Sequence, residues 1–166
     1  MGKGETLITR GAVVMLSMTA INVNNSFTEN SDYFNKTKFG LESIAIANSV
    51  IEEASQLPFD EESWDSTIVE KLATDMTPVS DLGLDFGESD MSTFDDFDDF
   101  HNFTRMDTTM QNEYEVSCFV HYINPDFPDS SISNRSLFKK LTVSVKNTMT
   151  SDSLALSYVH GFWYFN

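Results

Sequence analysis

Four aspartates, Asp95, Asp96, Asp98 and Asp99, are threaded between four phenylalanines, Phe94, Phe97, Phe100 and Phe103, which recur at every third position. Hard oxygen ligands at this density suit Ca²⁺, which takes about 6–8 of them. Rings at this spacing can anchor the segment to a domain while the carboxylates face outward. A solvated acidic edge is therefore the plainer reading and a calcium site the sharper one. Asp85 and Glu88 on either side of Gly87, and Asn102, are further oxygen donors. The order Asp-x-Asp-x-Asp-Gly with a terminal Glu is absent, so this is not an EF-hand loop.

Paired carboxylates also suggest glycoside hydrolysis. Contiguous aspartates repel one another rather than dividing into acid and base, and no apolar cleft is recognisable. His101, His121 and His160 have no metal-ligand spacing among them. No Gly-x-Ser-x-Gly elbow and no glycine-rich phosphate loop occurs. Cys118, the single cysteine, sits between Val116 and Val120 and reads as a buried thiol. It excludes an internal disulfide framework and a cysteine-based zinc site. No catalytic residue emerges, so an enzyme is not expected.

The 166 residues point to one domain with an appended helix. Ten bases stand against 26 acids, a net charge of −16. Residues 1–51 carry four of each sign; residues 52–99 carry sixteen acids and only Lys71; residues 100–166 carry six acids and five bases. One stretch thus holds nearly all the excess. It also holds Pro58, Pro78, Gly83 and Gly87, and reads as loops with short helical pieces. Nucleic acid is excluded as a partner, because no basic stripe exists to meet phosphates. The 14 phenylalanines are enough for a sizeable core, which a disordered acidic tail lacks.

Residues 11–23, GAVVMLSMTAINV, form an apolar run behind Lys3 and Arg10. A membrane span wants about 20 apolar residues, and this run is shorter. A signal peptide and an ordinary buried helix are the competing readings. With the chain intact from Met1, cleavage after this core is not expected. Residues 24–40 are polar with spaced aromatics. In residues 41–57, Leu41, Ile44 and Ile51 fall on one helical stripe and Ile46, Val50 and Leu57 on its neighbour. Pro58 stops the helix. One long helix, interrupted or not, from Thr6 to Leu57 would span roughly 75 Å, more than a chain of this size can cover by itself.

Residues 113–124 alternate as a strand, followed by a loop with two prolines, NPDFPDSSISN. Residues 137–146 alternate again, with Leu141, Val143 and Val145 on one face. Residues 154–165 form a last strand, and 99–106 an edge strand. Trp163, Tyr164 and Phe165 read as core aromatics of that last strand, or else as a subunit contact. The expected fold is α+β: a long N-terminal helix packed on a C-terminal antiparallel sheet of three or four strands. The expected division is 1–57 for the helix, with 1–23 as its apolar segment, 58–98 for the acidic loops and 99–166 for the sheet.

Several stretches together resemble the type IV pilin and pseudopilin superfamily. Gly4-Glu5-Thr6-Leu7-Ile8-Thr9 is similar to the family's processing site. IAIANSVIEEASQLPFD at 44–60 and FDDFDDFHNFT at 94–104 resemble segments of minor pilins of haemagglutinin-type pili, and LTVSVK with LALSYV resembles their terminal strand pair. Counted from Gly4, Glu5 stands where the family has Phe, and Thr9 where it has the glutamate that neutralises a neighbour's N-terminal amine; counted from Met1, Glu5 falls at the glutamate's place, but Thr6-Leu7-Ile8 follows it rather than precedes it. This departure implies a branch that keeps its terminus or processes it differently.

The resemblance implies a subunit of an extracellular, cell-surface filament, a homopolymer held in the inner membrane before assembly and served by pilus or secretion machinery. Glu5, Leu7, Ile8, Val13, Val14, Leu16, Met18, Ile21 and Val23 would be its assembly residues. Calcium at Asp95, Asp96, Asp98 and Asp99 is the one cofactor it raises. A minor pseudopilin and a calcium-dependent surface adhesin are the alternatives.

Overall fold

The computed structural model describes residues 2–61, 72–110 and 112–162. Trp163, Tyr164 and Phe165 lie outside the described residues. A single helix, α1 (Lys3–Gln56), is followed by a long, mostly irregular stretch and then by five strands. These are β1 (Thr104–Thr108), β2 (Glu113–Asn124), β3 (Phe127–Ser131), β4 (Phe138–Asn147) and β5 (Ser153–Gly161). The architecture is α+β. Residues 24–40 are helical throughout, so polar and aromatic side chains do not interrupt α1. The chain divides into two compact units, Met1–Leu41 and Glu42–Asn166.

In the second unit every strand pairing is antiparallel. The order is β1-β2-β4-β5, with β3 paired to β2 beyond that path. The extra strand, β3, forms within the proline-bearing loop. Its proline, Pro128, is tolerated because the strand is short and sits at an edge. The expected edge strand at 99–106 begins only at Thr104; ahead of it Asp98–Phe100 is a 3-10 turn. Strict alternation sorts the two faces. Tyr114, Val116, Cys118, Val120 and Tyr122 on β2, with Leu141, Val143 and Val145 on β4, are buried. Ser117, Phe119, Thr142, Ser144 and Ser157 share the opposite face.

The helical part of this unit, residues 42–56, packs on the sheet with small side chains. Ser43, Ala47, Val50 and Ala54 are its buried stripe, at helical spacing of four, three and four. Leu41 and Ile44, on the first of the two apolar stripes, are exposed, whereas Val50 on the second is buried. Small residues let a helix backbone approach a sheet whose own inward side chains are large, so the bulkier residues turn away. At the start of this segment the Glu42 carboxylate accepts hydrogen bonds from the Tyr114 hydroxyl and from Asn112 Nδ2, the latter at 3.2 Å. Burial, then the Glu42 carboxylate, push the Tyr114 phenol up to about 12.

Candidate functional site

Two features stand out: an uncovered apolar helix in the first unit, and a buried charge cluster in the second. Along α1, Leu7, Ile8, Val13, Val14, Leu16, Met18, Ile21 and Val23 are all exposed, Leu7 at 75% and Leu16 at 72%. Met15 and Phe27 are equally bare. The Glu5 side chain lies outside the described residues. The segment's hydroxyls are turned inward onto the helix itself. Ser17 Oγ donates to the Val13 carbonyl at 2.8 Å and Thr19 Oγ1 to that of Met15 at 2.9 Å. Thr28 and Thr37 do the same one turn back. Such back-bonding satisfies a hydroxyl without water and makes its residue compatible with an apolar surrounding. The helix is long and apolar enough to cross a membrane by length and composition.

In the second unit, Lys139 on β4 follows the inward parity of Leu141 and is completely buried. Its cross-strand partners are Tyr122 on β2 and His160 on β5. The ammonium donates to the Phe59 carbonyl at 2.7 Å, to Asp60 Oδ2 at 3.1 Å and to Asp98 Oδ1. It also lies 4.6 Å from the centre of the Phe59 ring and 5.5 Å from that of Tyr122. A buried ammonium is tolerated only when paired and fully hydrogen-bonded, and this set supplies both.

The neighbouring aspartates are committed to the backbone. Asp96 accepts the N–H groups of Glu61 at 2.9 Å and Asp98 at 2.7 Å. Asp99 Oδ2 accepts those of Asp95 and Asp96, both at 3.0 Å. Asp60 Oδ2 also accepts the Thr77 N–H at 2.8 Å. Burial pushes Asp98 up to about 7 against the pull of Lys139, and pushes Asp99 up to about 8. It raises Asp96 as well. Burial and the Lys139 charge lower His160, whose ring stacks on Phe97 at 4.8 Å.

The expectation that the rings anchor and the carboxylates face water holds only in its first half. Phe94, Phe97, Phe100 and Phe103 are buried. So are Asp96, Asp98 and Asp99, and Asp95 alone of the four is exposed. The cause is a buried lysine and a set of backbone N–H donors that composition does not reveal.

As oxygen donors the four aspartates do not form one set. Asp98 serves Lys139, Asp96 serves backbone, and the group with one carboxylate oxygen each within 4.8 Å of the others is Glu88, Asp95 and Asp99. Three such oxygens are about half of what Ca²⁺ takes. Asp96, Asp98 and Asp99 help to line an open cleft of about 410 Å³, together with Glu61, Asp85 and Arg135 among others. There the Asp85 charge, followed by burial, pushes Glu61 up to about 6. His101 hydrogen-bonds the Val120 carbonyl through Nδ1 at 2.5 Å and flanks Phe119, whose other neighbour is His121. Cys118 is buried, and burial pushes its thiol up to about 12.

Comparison with known protein families, curated proteins and solved structures finds no match to this chain.

Proposed function

We propose that the chain is a structural subunit of an extracellular pilus-like filament, polymerising through its apolar N-terminal helix. The observation that supports this best is the bare helix surface. Leu7, Ile8, Val13, Val14, Leu16, Met18, Ile21 and Val23 have no cover within their own unit. Each such side chain contributes roughly 1.5–3 kcal/mol when fully buried. A row of them therefore drives association with lipid or with copies of itself. The inward-bonded Ser17 and Thr19 suit either surrounding. Before assembly the helix sits in the membrane; in the filament, neighbouring copies replace the lipid. A head-to-tail contact that does not close on itself makes a helical fibre.

The α+β architecture accords with the pilin-like reading, in which the sheet-bearing unit forms the outer layer. Its net negative charge keeps fibres apart by mutual repulsion at modest ionic strength. A minor pseudopilin role, capping or priming a filament made of another protein, uses the same helix in the same way. The proportion of this chain in isolated filaments separates the two.

Negative-stain microscopy of the purified chain and of Leu16→Asp tests the proposal. Wild-type fibres lost in the variant are the expected result. Discrete particles from the wild type under every assembly condition would overturn it.

A further inference from the structure

Lys139 is an unusual residue to bury, and its surroundings do more than neutralise it. Two carboxylates meet one ammonium. The Nζ atom touches Asp98 Oδ1 and stands 3.1 Å from Asp60 Oδ2. The rings of Phe59 and Tyr122 lie over the amine, and Phe97 is completely buried beside Asp98. An amine, a carboxyl and a second carboxyl in one buried cluster are the groups that amide formation needs.

We propose that Lys139 and Asp98 join in an intramolecular isopeptide bond, with Asp60 as the proton carrier. A proton first passes from the Lys139 ammonium to the Asp98 carboxylate, and the neutral Nζ then attacks Asp98 Cγ. The N–C bond forms and one C–O bond of the carboxyl breaks. A second proton leaves Nζ for Asp60 Oδ2 and passes on to the departing hydroxyl, which leaves as water. An ammonium and a carboxylate become a neutral amide and one water, so atoms and charge balance and no oxidant or activating nucleotide is required. Fixed proximity of this kind reaches effective molarities of roughly 10⁵–10⁸ M. A desolvated lysine is an established nucleophile toward carbonyl carbon. Asp60 suits the carrier role because its Oδ2 is fixed in place by the Thr77 N–H at 2.8 Å.

The bond would tie the segment after residue 94 to the middle strand β4 across a sequence separation of 41 residues. Both ends lie in the sheet-bearing unit. The inference does not depend on the filament proposal, since the chemistry is complete within one copy.

Mass spectrometry of tryptic digests of the folded full-length chain tests it. The expected product is one branched peptide joining residues 72–105 to residues 136–140, lighter by one water than the sum of its parts, uncut after Lys139. Lys139→Arg should restore two separate peptides, and Asp60→Asn should leave them separate or slow their joining at least tenfold during refolding. Recovery from folded wild type of the 136–139 peptide with a free amine on Lys139 would overturn the proposal. So would a water loss that maps to any other pair. Wild-type digests decide the matter even where the variants fail to fold.

Discussion

Lys139 Nζ lies 3.1 Å from Asp60 Oδ2, and both side chains are completely buried. That contact connects β4 to the first residues after α1, and it organises much of what lies between them. Asp98 joins it from the aspartate-phenylalanine segment, whose Phe97 N–H donates to the Pro58 carbonyl at 2.9 Å. Tyr122 closes the group by donating to the Thr77 carbonyl at 2.8 Å. The acidic stretch is thus held by Lys139 from the sheet and by its own backbone donors.

Removing the Lys139 side chain should be costly. Lys139→Met leaves Asp60 and Asp98 buried without their partner, and truncating one side of a buried pair typically costs about 3–5 kcal/mol. Urea denaturation of the variant should show a loss of that size. A change below about 1 kcal/mol would mean that the pocket is wet in solution.

The Glu42 contact should hold the helix on the sheet. Tyr114→Phe removes one of its two described donors while Asn112 remains. Hydrogen bonds to charged groups contribute about 1.5–3 kcal/mol, so the unfolding midpoint should fall by a matching amount with the slope unchanged. An unaltered midpoint would show that Glu42 is satisfied by water instead.

Stability should decline toward alkaline pH. Asp99 and Glu61 have folded values raised to about 8 and about 6, so the folded chain keeps protons that the unfolded chain has released. Stability from such groups is full below the ordinary carboxylate range and lost as pH rises through the folded values. His160 and His121, lowered by burial, act in the opposite sense, but only below their ordinary value near 6.5. Between about pH 6.5 and about pH 8.5 the carboxyl groups therefore set the slope. Thermal melts across that window should show a falling midpoint, flattened in Asp99→Asn. A rising midpoint would contradict the burial of Asp99.

Cys118 should be inert in the folded state. A thiol pushed up to about 12 is protonated at pH 8, and only thiolate reacts readily. Alkylation should follow the rate of unfolding. Rapid labelling of native protein would place the thiol at the surface.

Much of the architecture was legible from residue patterns because alternation and helical periodicity report burial directly. β2 and β4 were readable from Tyr114–Tyr122 and Leu141–Val145, and α1 from its apolar spacing and Pro58. The buried helix face is only partly legible: Val50 lies on it, but Ala47, Ala54 and Ser43 pack there by being small, while Leu41 and Ile44 carry the hydrophobicity that periodicity counts. β3 was hidden by Pro128. The charge cluster was hidden because a run of aspartates is read as a solvated edge. One signal was present: Lys139 shares the inward parity of Leu141, Val143 and Val145. Strand phase, applied to charged residues as well as apolar ones, would have found it.

Cryo-electron microscopy of filaments assembled from the purified full-length chain bears most directly on the polymer account. The account predicts residues 7–23 of neighbouring copies packed against one another at the fibre axis, with the sheets outside. Fibres joined only through the sheets, or a preparation that holds nothing but separate particles, would contradict it.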